Sequence, residues 1–390
     1  MVAYKEELLI NTIIGEKSDQ LYEGNFITKE QLLNIKSTLP ALKGSKNILV
    51  RILFFFLGAF LYGSVCGLIS ITFLSNLENE TIWTVAPFIF GIIGILVMEL
   101  LIATNMKYYK NGLDDAVVAG ILLSVGFGLG FVGDYNTSVI SLSIFIAASI
   151  CYLRYLNIPA LLIAIVALVS TIASGMINYI IYGSALAPIV LAAVAYFSYR
   201  YTSRLLAKIK KPYYYQGIVI LKISSTILFY ISLNYTVITE LSYELMPDLE
   251  VNTFSTIMSY FFILLTAIIP FVYIYFGLKI KDKSLFIVGI LTLAASYFTL
   301  RYYYMFINLE TELLFFGVLI FVSSYLVMKK LKNNLQGFTF LPDRLSKTNS
   351  EQLEVLASIA QFGKNATATE SSPMEFGGGG FSGGGAGESF

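Results

Sequence analysis

Two ionisable residues set inside apolar runs, Glu99 and Lys222, are where chemistry is first sought in this 390-residue chain. A charge in hydrocarbon is costly and is kept where it pairs or lines an ion or substrate path. Each lies about 7–10 Å along its helix from one end at 1.5 Å per residue, so the two stand at similar depth and can pair. Ser225 and Thr226 share a helical face with Lys222, and Asp114 and Asp115 open another apolar run at the same end. Glu99, Lys222, Asp115, Ser225 and Thr226 thus form a candidate polar intramembrane site, a funnel suited to a small solute or ion. A plainer use competes with it. A lysine this shallow can snorkel its stem to the interface, Glu99 can do likewise or make a structural pair, and acids in a helix's first turn are favoured by its dipole. The shallow depth favours the plainer use.

Other chemistries are excluded by composition. The chain has no histidine, which removes histidine-based zinc sites, general bases and nucleophile pairs. Its two cysteines, Cys66 and Cys151, lie in apolar runs and read as small buried hydrophobes. The segment Gly130-Phe131-Val132-Gly133-Asp134 approaches the Gly-x-Gly-Asp pattern of intramembrane aspartyl proteases. Its spacing is one residue too long, and no second aspartate lies within a run. Asp134 reads instead as a cap of a short turn. No catalytic, cofactor-binding or metal-binding residues are expected, and no enzyme.

The elements that must position these residues are long and apolar. Hydrophobic residues make up 56% of the chain and charged residues 13%, with a mean hydropathy of +0.73. A soluble fold of this size needs more charge to cover its surface. Between residues 49 and 328 the apolar runs predict ten crossings, near 50–74, 83–103, 113–132, 137–153, 157–180, 184–199, 215–238, 253–278, 284–300 and 312–328. The pair within 157–199 has the least certain bounds, because Ser174-Gly175 and Gly183-Ser184 both offer a break. The expected fold class is all-α, a polytopic transmembrane helix bundle.

Charge sets its orientation. Of the 26 lysines and arginines, 24 fall on one side of this threading, and the other side keeps Arg301 with nine acids, Glu78 to Glu312. The positive-inside rule places both termini in the cytoplasm. Small-xxx-small pairs, Gly126 with Gly130 and Gly63 with Gly67, predict close helix packing. Pro87, Pro188 and Pro270 fall within runs, and no motif of the first half recurs in the second.

Residues 1–48 read as a cytoplasmic helical hairpin with six basic and six acidic residues. Zero net charge and no basic face argue against a nucleic-acid partner. A turn at Gly24-Asn25 separates its helices. Thr28 and Gln31 are spaced as a capping box, Ile27 and Leu32 as a hydrophobic staple, and the second helix stops before Pro40. Residues 329–390 form a tail with one short helix over about 351–362 and a Gly-rich end. Hairpin and tail are the surfaces on which a cytoplasmic protein partner is expected to dock, and the lipid bilayer is the partner of the rest.

Two segments carry a resemblance. The lead-in Gly24-Asn25-Phe26-Ile27-Thr28-Lys29-Glu30-Gln31 and the turn Leu300-Arg301-Tyr302-Tyr303 resemble those of a family of bacterial polytopic membrane proteins of unknown function. Its chains start with a Gly-x-x-Ile-Thr-x-x-Gln hairpin and carry a Leu-Arg-Tyr-Tyr turn before the last helix. The tail is similar to the Gly/Phe-rich endings of some other bacterial envelope proteins. The resemblance implies the cytoplasmic (inner) membrane and carries over no catalytic residues. Two functions remain open, a non-catalytic membrane scaffold or sensor, and a secondary transporter or channel. A water-accessible cavity lined by Glu99, Lys222 and Asp115 would favour transport, and a dry bundle the scaffold.

Overall fold

Helix is the only regular structure that satisfies every backbone group within one apolar segment, and helices account for the bundle. The computed structural model describes residues 2–71, 80–133, 135–180, 183–245 and 256–303, with scattered positions from 308 to 332. They fold as α1 (Glu6–Glu23), α2 (Lys29–Thr38), α3 (Ile48–Ile71), α4 (Glu80–Leu96), α5 (Leu113–Val132) and α6 (Thr137–Tyr155). There follow α7 (Ile158–Tyr179), α8 (Gly183–Lys208), α9 (Tyr215–Leu233), α10 (Tyr235–Leu245), α11 (Thr256–Ile280) and α12 (Lys283–Tyr303). α4 continues as a π-helix over Val97–Met106, and a single 3-10 turn, Pro212–Tyr214, leads into α9.

Eight of these helices are long and apolar enough to cross a bilayer. They are α3, α4 with its π-helical extension, α5, α6, α7, α9, α11 and α12. The chain is an integral, multi-pass membrane protein with an all-α fold. Two expected crossings stand apart from the eight. The stretch 184–199 lies in α8, which runs on through Arg200 and Arg204 to Lys208. The stretch 312–328 falls largely outside the described residues, and its described positions, such as Leu314, Val318 and Leu326, are helical. The expected tail helix and Asp134 also lie outside them.

Helix ends follow local chemistry. Asn136 accepts from the Ser138 and Val139 amides at the start of α6, and Asn157 from the Ala160 amide at the start of α7. α9 ends before the expected residue 238 because Asn234 caps the next helix. Its side chain accepts from Val237 N and donates to the Tyr230 and Thr299 hydroxyls.

The glycine expectation divides. A Cβ at Gly126 would sit 3.3 Å from Ile144 of α6, so that glycine does allow close packing. Gly63 and Gly67 of α3 meet nothing within 4 Å among the described residues, and the packing expected of that pair is not formed among them. Between α6 and α7, polar residues make a ladder, with Ser138–Ser174 at 3.0 Å and Thr171–Ser141 at 3.1 Å.

The hairpin of α1 and α2 has its capping box, Gln31 N to Thr28 Oγ1 and Thr28 N to Gln31 Oε1. It caps one end of the bundle and touches three of its turns. Ala3 N donates to Arg154 O at 2.8 Å, in the α6–α7 turn. Lys43 and Tyr108 pair through their backbones at the turn before α5, and Tyr213 donates to Glu6 at 3.2 Å in the turn before α9. Those three turns therefore lie at one end, with the start of α3. The helices between them run alternately away from and back to the cap.

Candidate functional site

Glu99 lies in the π-helix, where the wider turn lets Thr104 Oγ1 reach the Glu99 carbonyl at 2.6 Å. π-helical turns occur often at functional sites. The Glu99 carboxylate is gripped as a fork by Arg154, Nε to Oε1 at 2.7 Å and Nη2 to Oε2 at 2.9 Å, and accepts from the Tyr155 hydroxyl at 3.1 Å. Two-pronged guanidinium–carboxylate contacts are the strong, directional form of this pair. Arg154 is positioned by the abrupt end of α6, where Leu156 takes a left-handed backbone (φ 54°).

Two residues further on, the same turn reaches a second carboxylate. Asn157 donates from Nδ2 to Asp115 Oδ1 at 2.8 Å while its own Oδ1 caps α7. Arg51 at the start of α3 holds the other oxygen of Asp115, Nε at 2.7 Å and Nη2 at 2.6 Å. Asp114 turns back to accept from the backbone amides of Lys110, Asn111 and Gly112 at 2.7, 3.0 and 2.9 Å. That is more than the dipole effect expected of it. The carboxylate closes the loop that lets α5 start flush against α3. Both aspartates are buried. Glu99 and Asp115 thus belong to one polar layer organised by Arg154, Tyr155 and Asn157.

Lys222 belongs to another group. Its ammonium pairs with Asp282 at 2.5 Å, and both side chains are nearly buried. The ammonium also lies 5.7 Å from the centre of the Tyr199 ring. Asp282 is fixed by its second task, capping α12 through the amides of Ser284 and Leu285. Ser225 bonds Ser198 of α8 at 2.7 Å and Leu221 O at 2.6 Å. Thr226 donates to Lys222 O, and its own carbonyl accepts from Tyr273 at 2.8 Å. A cavity of about 380 Å³ beside them is lined by Tyr199, Arg200, Ser225, Thr226 and Tyr273 among others.

The five expected site residues therefore divide. Glu99 and Asp115 are both held by the end of α6 and the turn after it, and Lys222, Ser225 and Thr226 share α9, but Glu99 and Lys222 do not pair. The reason is that each had a nearer partner in the turns at the same end, Arg154 for one and Asp282 for the other. Sequence reasoning passed over Arg51, Arg154, Asn157 and Asp282. Arg154 carried a usable signal, since it ends its apolar run at the depth where Glu99 lies. Asp282 carried none beyond standing among three lysines.

A separate set of charged residues holds the cap. Asp19 of α1 binds Lys36 of α2 and Lys46 of the segment leading to α3. Burial pushes the Asp19 carboxyl up, but the hydrogen bonds from the two lysines outweigh it and hold it below the usual carboxylate range. Lys110 reaches Gln216 at 2.7 Å and lies 4.0 Å from Glu16, and burial pulls it below the usual lysine range.

Compared with known proteins, the chain matches no family model, and no curated protein or solved structure is significantly similar to it.

Proposed function

We propose that this protein is a non-catalytic scaffold or sensor of the bacterial cytoplasmic membrane, threaded ten times with both termini inside. The observation that carries the reading is the separate closure of the two charged groups. Glu99 is taken up by Arg154 and Tyr155, and Lys222 by Asp282. Charges locked in pairs by the ends of helices hold elements together, whereas a transport path needs groups that exchange partners. The second support is the cap. The N-terminal segment is tied to three separate turns of the bundle, through Ala3, Glu6 of α1 and Lys43, so a displacement of the spans has a direct mechanical route to a cytoplasmic surface that a protein partner can read.

The bacterial inner membrane rests on the resemblance of the hairpin and the Leu300–Tyr303 turn, and the orientation rests on the basic residues that gather at the cap end. Uptake and efflux profiling tests the function. A strain lacking the protein and strains carrying Glu99→Gln or Lys222→Met are expected to handle solutes like the parent. A solute whose flux follows either substitution would overturn the scaffold reading. Orientation is tested by a cysteine at Tyr135 or Ser45 probed with an impermeant thiol reagent on intact cells, where only the first is expected to react.

A second reading, secondary transport, is favoured by one observation. The cavity beside Ser225 and Thr226 lies next to the Lys222–Asp282 pair and is lined in part by hydroxyls and Arg200. Flux that depends on Lys222 and not on Glu99 is its signature.

A further inference from the structure

The basic residues near the cap are used unevenly. Over the first half of the chain Arg51 holds Asp115, Arg154 holds Glu99, and Lys36 and Lys46 hold Asp19. Where α8 ends and α11 turns into α12, the cations have no such partners. Among the described residues Arg200, Arg204, Lys208, Lys279, Lys281 and Lys283 form no ion pair with an acid, and all six are exposed. Asp282 stands between two of these lysines, but Lys222 takes its carboxylate. That pair also ties the α11–α12 turn to the first part of α9, and so to the cap end.

The cavity of about 380 Å³ between α8, α9, α11 and α12 opens beside these cations. Arg200 of α8, Ile280 of α11 and Leu285 of α12 line it nearest the cap end, and Ala195, Val272 and Phe229 line it deepest. From Val272 to Ile280 its wall runs about 12 Å at 1.5 Å per residue. The span of α11 ends at Ile280 and that of α12 begins at Lys283. The mouth therefore stands at headgroup level and the floor in hydrocarbon. Hydroxyls in the wall are already bonded to protein. Ser225 meets Ser198 and Leu221 O, Thr226 donates to Lys222 O, and Tyr273 donates to Thr226 O. The rest of the deep wall is apolar, and the charge of the lining is Arg200 at the mouth.

An occupant that suits both parts joins an anion to an apolar chain. A free anion meets only the mouth, and an uncharged apolar solute leaves the guanidinium unpaired. Residues 329–390 carry six acidic and six basic residues, so they bring no net charge to a basic face. A phospholipid with a net negative headgroup has both parts and already lies at this depth. Clustered lysines and arginines draw it to the surface, and basic pockets between spanning helices hold such headgroups. A guanidinium also matches phosphate oxygens in two-pronged fashion.

We propose that the cavity between α8, α9, α11 and α12 binds one anionic phospholipid from the leaflet at the cap end. Its phosphate lies beside Arg200 and the α11–α12 turn, and an acyl chain runs inward along Tyr196, Phe229 and Phe276.

The test uses the full chain in nanodiscs of phosphatidylethanolamine with a minor share of phosphatidylglycerol, followed by native mass spectrometry. The unaltered chain is expected to retain one phosphatidylglycerol, enriched over its share of the nanodisc lipid, a preference that no folding defect can confound. Arg200→Gln, at an exposed position, is expected to lower that retention about fivefold, the effect of one cation at an anionic lipid surface. Arg200→Lys keeps the charge and is expected to lower it less. Lys107→Gln, exposed in the turn before α5, is expected to leave it unchanged. Phosphatidylglycerol with a diazirine in its acyl chain is expected to label α8 near Tyr196 and α11 over residues 272–276. Equal retention of both headgroups, retention indifferent to Arg200→Gln, labelling spread over all lipid-facing helices, or displacement by excess inorganic phosphate would overturn the proposal. So would zero-length cross-links from Lys281 or Lys283 to acids within residues 343–388, which would assign the face to the chain's own tail.

Discussion

The Lys222–Asp282 pair permits a sharp test of whether the ion pairs hold this bundle together. Its side chains are 14% and 12% exposed, so solvent screening is weak. Removing one partner of such a pair costs about 3–5 kcal/mol, much of it the desolvation of the charge left behind. Lys222→Met strands the Asp282 carboxylate and should cost about 3 kcal/mol. Asp282→Asn keeps the cap on α12, because asparagine caps as well as aspartate. It leaves an ammonium that still faces the Tyr199 ring and can snorkel, so its cost should be nearer 2 kcal/mol. The double variant has no charge to desolvate, and about 2 kcal/mol is expected, which gives a coupling of about 3 kcal/mol. Equilibrium unfolding in bicelles with increasing sodium dodecyl sulfate, followed by far-ultraviolet circular dichroism, measures all four corners of the cycle. Additive losses, with a coupling below about 0.5 kcal/mol, would refute the argument that this pair is a structural clasp.

Three further outcomes follow from the same geometry. Asn157→Ala removes the cap of α7 and a hydrogen bond to the Asp115 carboxylate, a loss of about 2 kcal/mol. Hydrogen exchange should show it first in the opening turn of α7, and protection unchanged there would contradict the assignment. Gly112→Ala sets a Cβ at φ 107° within 2.1 Å of Arg51 O, so α5 cannot start against α3. A cost above about 3 kcal/mol is expected and would appear as lost expression of folded protein. For the cap, the sign is fixed by Asp19. Its pKa is held below the ordinary 3.8 in the folded chain, so its contribution is complete above that pH and lost as pH falls further. Limited proteolysis between α2 and α3 should accelerate only under that acid condition, and acceleration near neutral pH would assign the docking to other contacts.

How far the sequence reached is clearest at particular residues. Hydrophobic run length foretold α3, α5, α6, α7 and α12 to within a few residues, because a helix in hydrocarbon is specified by its own composition. Thr28 and Gln31 foretold the start of α2, because a capping box is local chemistry. Asn234 was overlooked, since an asparagine within an apolar run only becomes a break when Tyr230 and Thr299 accept its amide. At Gly63 and Gly67 the expected packing does not form among the described residues, for the opposite reason. Small residues permit close packing, but nothing in α3 alone says whether a neighbour comes close.

By itself, then, the sequence determined that this chain crosses a membrane as helices and that its basic residues, Lys222 apart, stand between or beside the apolar runs. Those properties depend on transfer of side chains from water and on local backbone bonding, which each segment carries within it. Which charges meet was decided only when the helices assembled. Glu99 found Arg154 from 55 positions away, and Lys222 found Asp282. Many lysines, arginines and acids share the depth of that interface, and the turns of the packed chain choose among them.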